Sequence, residues 1–114
     1  MNKKNQNKVT SNEIGLEIGL VLSRFFFNTE HLHFGYWPDN LPLNIDNLKH
    51  AQDYHSDQII NSIPKNVDTI LDVGSGSGGL AEKLIEKKFT VDCVSPSEYL
   101  SDAIEKKLIN KVKV

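Results

Sequence analysis

Nothing in this chain restricts the fold as tightly as the stretch from Thr69 to Leu80. There a short apolar run, Thr69-Ile70-Leu71-Asp72-Val73, leads directly into Gly74-Ser75-Gly76-Ser77-Gly78-Gly79-Leu80. Four of the seven glycines of the chain fall in that second segment. A strand that ends in a turn without Cβ atoms and continues as a helix lets the backbone reverse sharply and approach a ligand closely. The free N–H groups of the following helix then point into the space so formed. The segment predicts a small-molecule site at a strand-to-helix turn.

The sequence around it repeats the same alternation. Short apolar strands are predicted over 69–73 and 90–94, with amphipathic helices over 78–88 and 97–109. Lys111-Val112-Lys113-Val114 begins a third strand. This βαβαβ pattern is of the α/β class, a Rossmann-like parallel sheet with flanking helices, preceded by N-terminal helices. Three segments follow: a flexible polar tail over 1–11, a helical cap with an aromatic loop over 12–66, and the sheet-forming part over 67–114.

In the cap, Thr10 followed by Glu13 reads as a capping box. It opens a helix with Ile14, Ile18, Leu22 and Phe25 on one side, expected to be buried, and Gly15 and Gly19 on another, expected to pack closely against a neighbour. Residues 28–45, with Pro38 and Pro42, read as an ordered loop. Asp46 or Asn47 then caps a second helix carrying Leu48, Ala51, His55, Ile59 and Ile63, which Pro64 stops.

A length of 114 residues predicts one domain, and a net charge of −2 gives no field for nucleic acid. Lys3, Lys4 and Lys8 sit among asparagines and read as a solvated tail. The apolar run Ile14–Leu22 is interrupted by Glu17 and is too short to span a bilayer. The one cysteine, Cys93, lies in an apolar run and reads as a small buried thiol in a reducing cytoplasm.

Glycine spacing alone leaves the ligand open. Gly74-x-Gly76-x-x-Gly79 satisfies the dinucleotide fingerprint, and Asp72-x-Gly74-x-Gly76-x-Gly78 satisfies the spacing of a methyltransferase loop. Asp72 separates them: a carboxylate beside the turn repels a pyrophosphate and favours a ligand with ammonium and sulfonium charges. S-adenosyl-L-methionine carries both and has no phosphate. Its carboxylate would be received by the helix opening near Gly78.

With these residues in place, Ile70 to Gly79 resembles the first motif of class I S-adenosylmethionine-dependent methyltransferases, and the likeness runs in order and spacing over residues 67–110. Within that family, the closer resemblance is to the subgroup of cyclopropane fatty acid synthases and of tocopherol and small-amine methyltransferases. Ser95-Pro96-Ser97 is similar to the hydroxyl-bearing turn that replaces the usual ribose-binding acid there. Leu32-His33-Phe34-Gly35-Tyr36-Trp37 is similar to the segment that closes the cofactor pocket. The resemblance implies cofactor contacts from Tyr36, Asp72, Gly74, Ser75, Gly76, Gly78, Ser95 and Ser97. Trp37 reads equally as a pocket wall or as a plug anchoring its loop.

Asp92 reads as a polar residue on a partly exposed strand face. His31-x-His33 lacks the further ligands of a metal site, and His50 and His55 read as surface or core-edge residues. No catalytic base can be named. The implied partner is a small-molecule or lipid methyl acceptor, with no nucleic acid and no integral membrane segment. The resembled fold has seven strands, and this chain reaches only its third. The first strand is therefore expected to present an open apolar edge, and the chain to be either a fragment of a longer enzyme or one that completes its sheet with a second copy or another polypeptide. Two other functions stay open: a noncatalytic module for cofactor binding or subunit pairing, and a nicotinamide-binding Rossmann domain.

Overall fold

The structure, a computed structural model, describes residues 9–114, so the three N-terminal lysines and most of the expected tail lie outside the described residues. The first helix, α1, runs Ser11–Phe27. Thr10 is extended and its hydroxyl accepts the Glu13 N–H at 3.3 Å, which is the forward half of the predicted capping box. Asn28 ends the helix in the left-handed conformation, which asparagine tolerates.

The expected burial of α1 does not occur. Ile14, Ile18, Leu22 and Phe25 are between 44% and 80% exposed, and the buried residue of the helix is Leu20. Helical periodicity places residues on a common face but does not say which face is covered, and α1 carries apolar residues on more than one face. The side bearing Leu20 is the one turned to the body of the protein, where α1 packs on the last helix. Nor do the two glycines pack closely. A Cβ at Gly15 would meet open space, and one at Gly19 would only reach Leu32 at 4.0 Å.

The aromatic loop is ordered by the second helix. Asn44 accepts the Asn47 N–H and closes a 3-10 turn over Ile45–Asn47, after which α2 runs Leu48–Asn61. Asn47 occupies the cap position of α2 but makes no side-chain cap bond, so the capping contact lies one turn earlier than predicted. Buried Gln52 holds the loop through both ends of its amide. It accepts from the Thr29 hydroxyl at 2.7 Å and donates to the His33 carbonyl at 2.7 Å. The Tyr36 N–H reaches the Ala51 carbonyl at 2.8 Å. Gly35, at φ +83°, lies so close to α2 that a Cβ would come within 2.4 Å of the Ala51 carbonyl carbon. The covered row of α2 is Ala51, Gln52, Ser56 and Ile60, one step off the predicted row, because two of its buried residues are polar and give no hydrophobic signal.

The strands fall where predicted. β1 (Thr69–Val73), β2 (Thr90–Val94) and β3 (Val112–Lys113) form a parallel sheet in the order β1-β2-β3, with Thr69 beside Thr90 and Val91 beside Val112. The intervening helices α3 (Gly79–Glu86) and α4 (Glu98–Lys107) are slightly shorter than predicted. After each, a residue takes positive φ and turns the chain toward the next strand: Lys88 at 74° and Asn110 at 59°.

One face of the sheet meets the core. Val91 and Cys93 pack with Ile60 of α2, Ala81 and Leu84 of α3, and Ile104 of α4. The opposite face is uncovered, with Leu71 61% and Val73 72% exposed. β1 has β2 as its only neighbour among the described residues, so its other edge is unpaired. The outline follows from this one-sided layering. The principal extents are 62 × 37 × 18 Å and the radius of gyration is 16.2 Å, against about 13 Å for a compact domain of some 100 residues.

Candidate functional site

Three left-handed glycines shape the turn after β1. Gly74 and Gly76 take φ of 76° and 55°, and a Cβ on either would meet nothing within 4 Å among the described residues. Their backbone therefore faces open space. The turn is tied to the end of β2, where the Val94 carbonyl accepts the N–H groups of Gly74 at 2.8 Å and Ser75 at 3.3 Å. Gly78, at φ 83°, closes the turn through its N–H to the Ser75 carbonyl. It lies under Ile104 of α4, which a Cβ would approach to 3.2 Å. This glycine is needed for helix packing as well as for the turn.

The open space is a hollow of about 400 Å³. Asp72, Gly74, Ser75, Gly76 and Ser77 form one wall; His31, His33, His55 and Ile59 form the other. Asp72 is the chemically distinctive member. Its Oδ2 is buried without a hydrogen-bond partner, and burial raises its carboxyl above the ordinary range. Such an oxygen costs free energy unless a donor or a positive charge meets it. Close by, burial pushes the Cys93 thiol up and the Asp72 charge adds to the rise, while the Ser75 hydroxyl moderates it. Cys93 is thus an inert core thiol rather than a nucleophile.

The histidine wall was not foreseen. His33 lies between His31, at 5.0 Å between ring centres, and His55, at 4.5 Å, with its ring tilted to both. Burial and the neighbouring histidines bring the His33 pKa down to about 4, and burial also lowers that of His31. The Gly35 N–H donates to Nδ1 of His33 at 3.0 Å, which places the proton of the neutral ring on Nε2. The His31 ring covers the start of α3, 2.6 Å from where a Gly79 Cβ would stand. No group of three or more His, Cys, Asp or Glu among the described residues is arranged to hold a metal ion. The loop motif already contained His33, with His31 just before it, but His55 reaches the site by helix packing that no local pattern announces.

Three of the residues implied by resemblance stand apart from the hollow. Tyr36 is half exposed and fixed through its backbone to α2, and its loop is braced by the Trp37 indole, which donates to the Phe34 carbonyl at 2.9 Å. Ser95 accepts the Ser97 N–H at 3.3 Å. The buried Ser97 hydroxyl caps α4 by accepting the Leu100 N–H and donates to the Glu13 carboxylate at 3.0 Å. The structure therefore brings together Asp72, Gly74, Ser75 and Gly76, and leaves Tyr36, Ser95 and Ser97 outside the hollow, with Gly78 beneath it.

Behind the histidine wall, a lattice of ion pairs locks the helices together. Glu30 meets Arg24 and Lys107; Lys107 also meets Glu82 at 3.0 Å; Asp53 meets Lys49 and Lys83, each at 2.9 Å. Burial works against the charges of Glu30 and Asp53, but the lysines beside them hold both carboxyls below the usual range. No helix among the described residues is long and apolar enough to cross a membrane. Compared with known proteins, the chain matches no family model and no curated protein.

Proposed function

We propose that the hollow beside β1 receives S-adenosyl-L-methionine and that the chain is a methyltransferase, or the cofactor-binding part of one, acting on a small molecule or lipid. The observation that carries this reading is the buried, unpartnered Asp72 oxygen on the wall of an open glycine turn. A cationic ligand relieves that oxygen, whereas a pyrophosphate would add a second negative charge beside it. The exposed backbone of Gly74 and Gly76 leaves room for a nucleoside against the turn. When bound, the cofactor supplies an electrophilic methyl group. The residues of this chain bind and orient it and narrow the access of water through the histidine and Ile59 wall. Tyr36, Ser95 and Ser97 enter only as contacts that the family resemblance implies.

Titration calorimetry with S-adenosylhomocysteine checks the reading. One-to-one binding is expected, with none for NADH, and Gly76→Val should abolish it by filling the hollow and straining a left-handed position. Binding of NADH in preference would transfer the site to the nicotinamide class. A second reading, a noncatalytic module that pairs with another chain, is favoured by the bare sheet face at Leu71 and Val73 and the unpaired edge of β1. Cofactor binding with no methyl transfer to amine, hydroxyl or lipid acceptors would select it. A cytoplasmic setting accords with the single buried cysteine.

A further inference from the structure

α1 has two apolar faces and the fold uses one. Leu20 and the Glu13–Ser97 contact hold one face toward α4. At about 100° per residue, the opposite face gathers Ile14, Ile18, Val21, Leu22, Phe25 and Phe26, each exposed and with no charge among them. The stripe is about 20 Å long. Glu17 and Arg24 lie along one border of it.

That border is complementary to itself in reverse. Glu17 and Arg24 are equidistant from a point between residues 20 and 21. A single antiparallel register therefore sets Glu17 beside Arg24 of a second copy at two symmetric positions, along a seam of Ile14, Ile18, Val21 and Phe25. Arg24 already bonds Glu30, but its guanidinium has five donors and is partly exposed, so it can serve both carboxylates. We propose that this protein forms a two-fold dimer through antiparallel packing of α1 on α1 of a second copy, in this register.

The charge pattern favours a second copy over a bilayer. Among the described residues, the N-terminal half of α1 carries Glu13 and Glu17 and stands beside Glu98 and Asp102 of α4, with no basic residue in that groove. A helix that lies on an anionic membrane needs lysine and arginine there. The dimer is independent of the cofactor reading, and neither result bears on the other.

Sedimentation equilibrium of the whole chain is expected to show a monomer–dimer equilibrium. Ile18→Asp should leave only monomer with unchanged circular dichroism, because Ile18 is half exposed in the single chain. Glu17→Arg should weaken the dimer about tenfold by setting arginine against arginine at two symmetric contacts, and adding Arg24→Glu should restore it. Register is read by oxidation. Val21→Cys, next to the axis, should form a disulfide-linked dimer, whereas Ile14→Cys, some 20 Å from its own counterpart along the helix, should not. A monomer at all concentrations, equal cross-linking at positions 14 and 21, or a monomer that floats with phosphatidylcholine or phosphatidylserine vesicles would each overturn the proposal.

Discussion

Asp72 opposes the stability of the fold that holds it, and in the proposed function the same carboxylate is what meets the ligand. Asp72 is the penultimate residue of β1, where the other inward residue, Ile70, is apolar, and its Oδ2 finds no donor among the described residues. Its folded pKa is raised, so its charged form is disfavoured by folding: the penalty is absent below the ordinary carboxyl value and grows as pH rises through the folded value. Asp72→Asn should therefore raise stability at neutral pH by about 1 kcal/mol, measured by urea denaturation, while S-adenosylhomocysteine binding is lost. A variant that loses stability together with binding would make Asp72 a structural residue. The residue and its glycine turn were legible in the sequence because every group that defines them lies within a few positions of the next.

At the scale of elements, the loop and α2 form one unit joined by backbone approach. Gly35 is required for two reasons, its left-handed φ and the 2.4 Å contact that a Cβ would make with the α2 backbone. Gly35→Ala should cost at least about 3 kcal/mol, since neither strain nor clash can be relieved by a side-chain rotation. The midpoint of denaturation measures the loss, and a red shift of Trp37 emission would report release of the loop. The sequence displayed the strands and the two α/β helices because short alternating runs carry their own period. It did not display the Gln52 clamp or His55, because a buried amide and a packed imidazole are specified by partners about 20 residues away.

Taken as a whole, the molecule is a single helical layer on one face of a short sheet, secured at one end by ion pairs and by neutral histidines. Both features weaken in acid. His33 titrates at about 4 when folded and at 6.5 when free, so its contribution to stability is complete above 6.5 and is lost as pH falls toward 4. The depressed carboxyls of Glu30 and Asp53 add a loss in the same direction below their ordinary values of 4.5 and 3.8. The melting temperature should accordingly decline from pH 7 to pH 4, and His33→Gln should flatten the upper part of that decline. An unchanged slope in the variant would place the acid sensitivity in the ion pairs alone.

The sequence by itself determined the strand-turn-helix unit, the parallel alternation and the position of Asp72, because these depend on local period, missing Cβ atoms and short-range capping. Tertiary structure alone decided which face of α1 is covered, which histidines gather on one wall of the hollow, and that one face of the sheet stays bare. Those outcomes are set by contacts between segments far apart in the chain. An apolar residue carries the same local signal whether its neighbour is the core, another molecule or water.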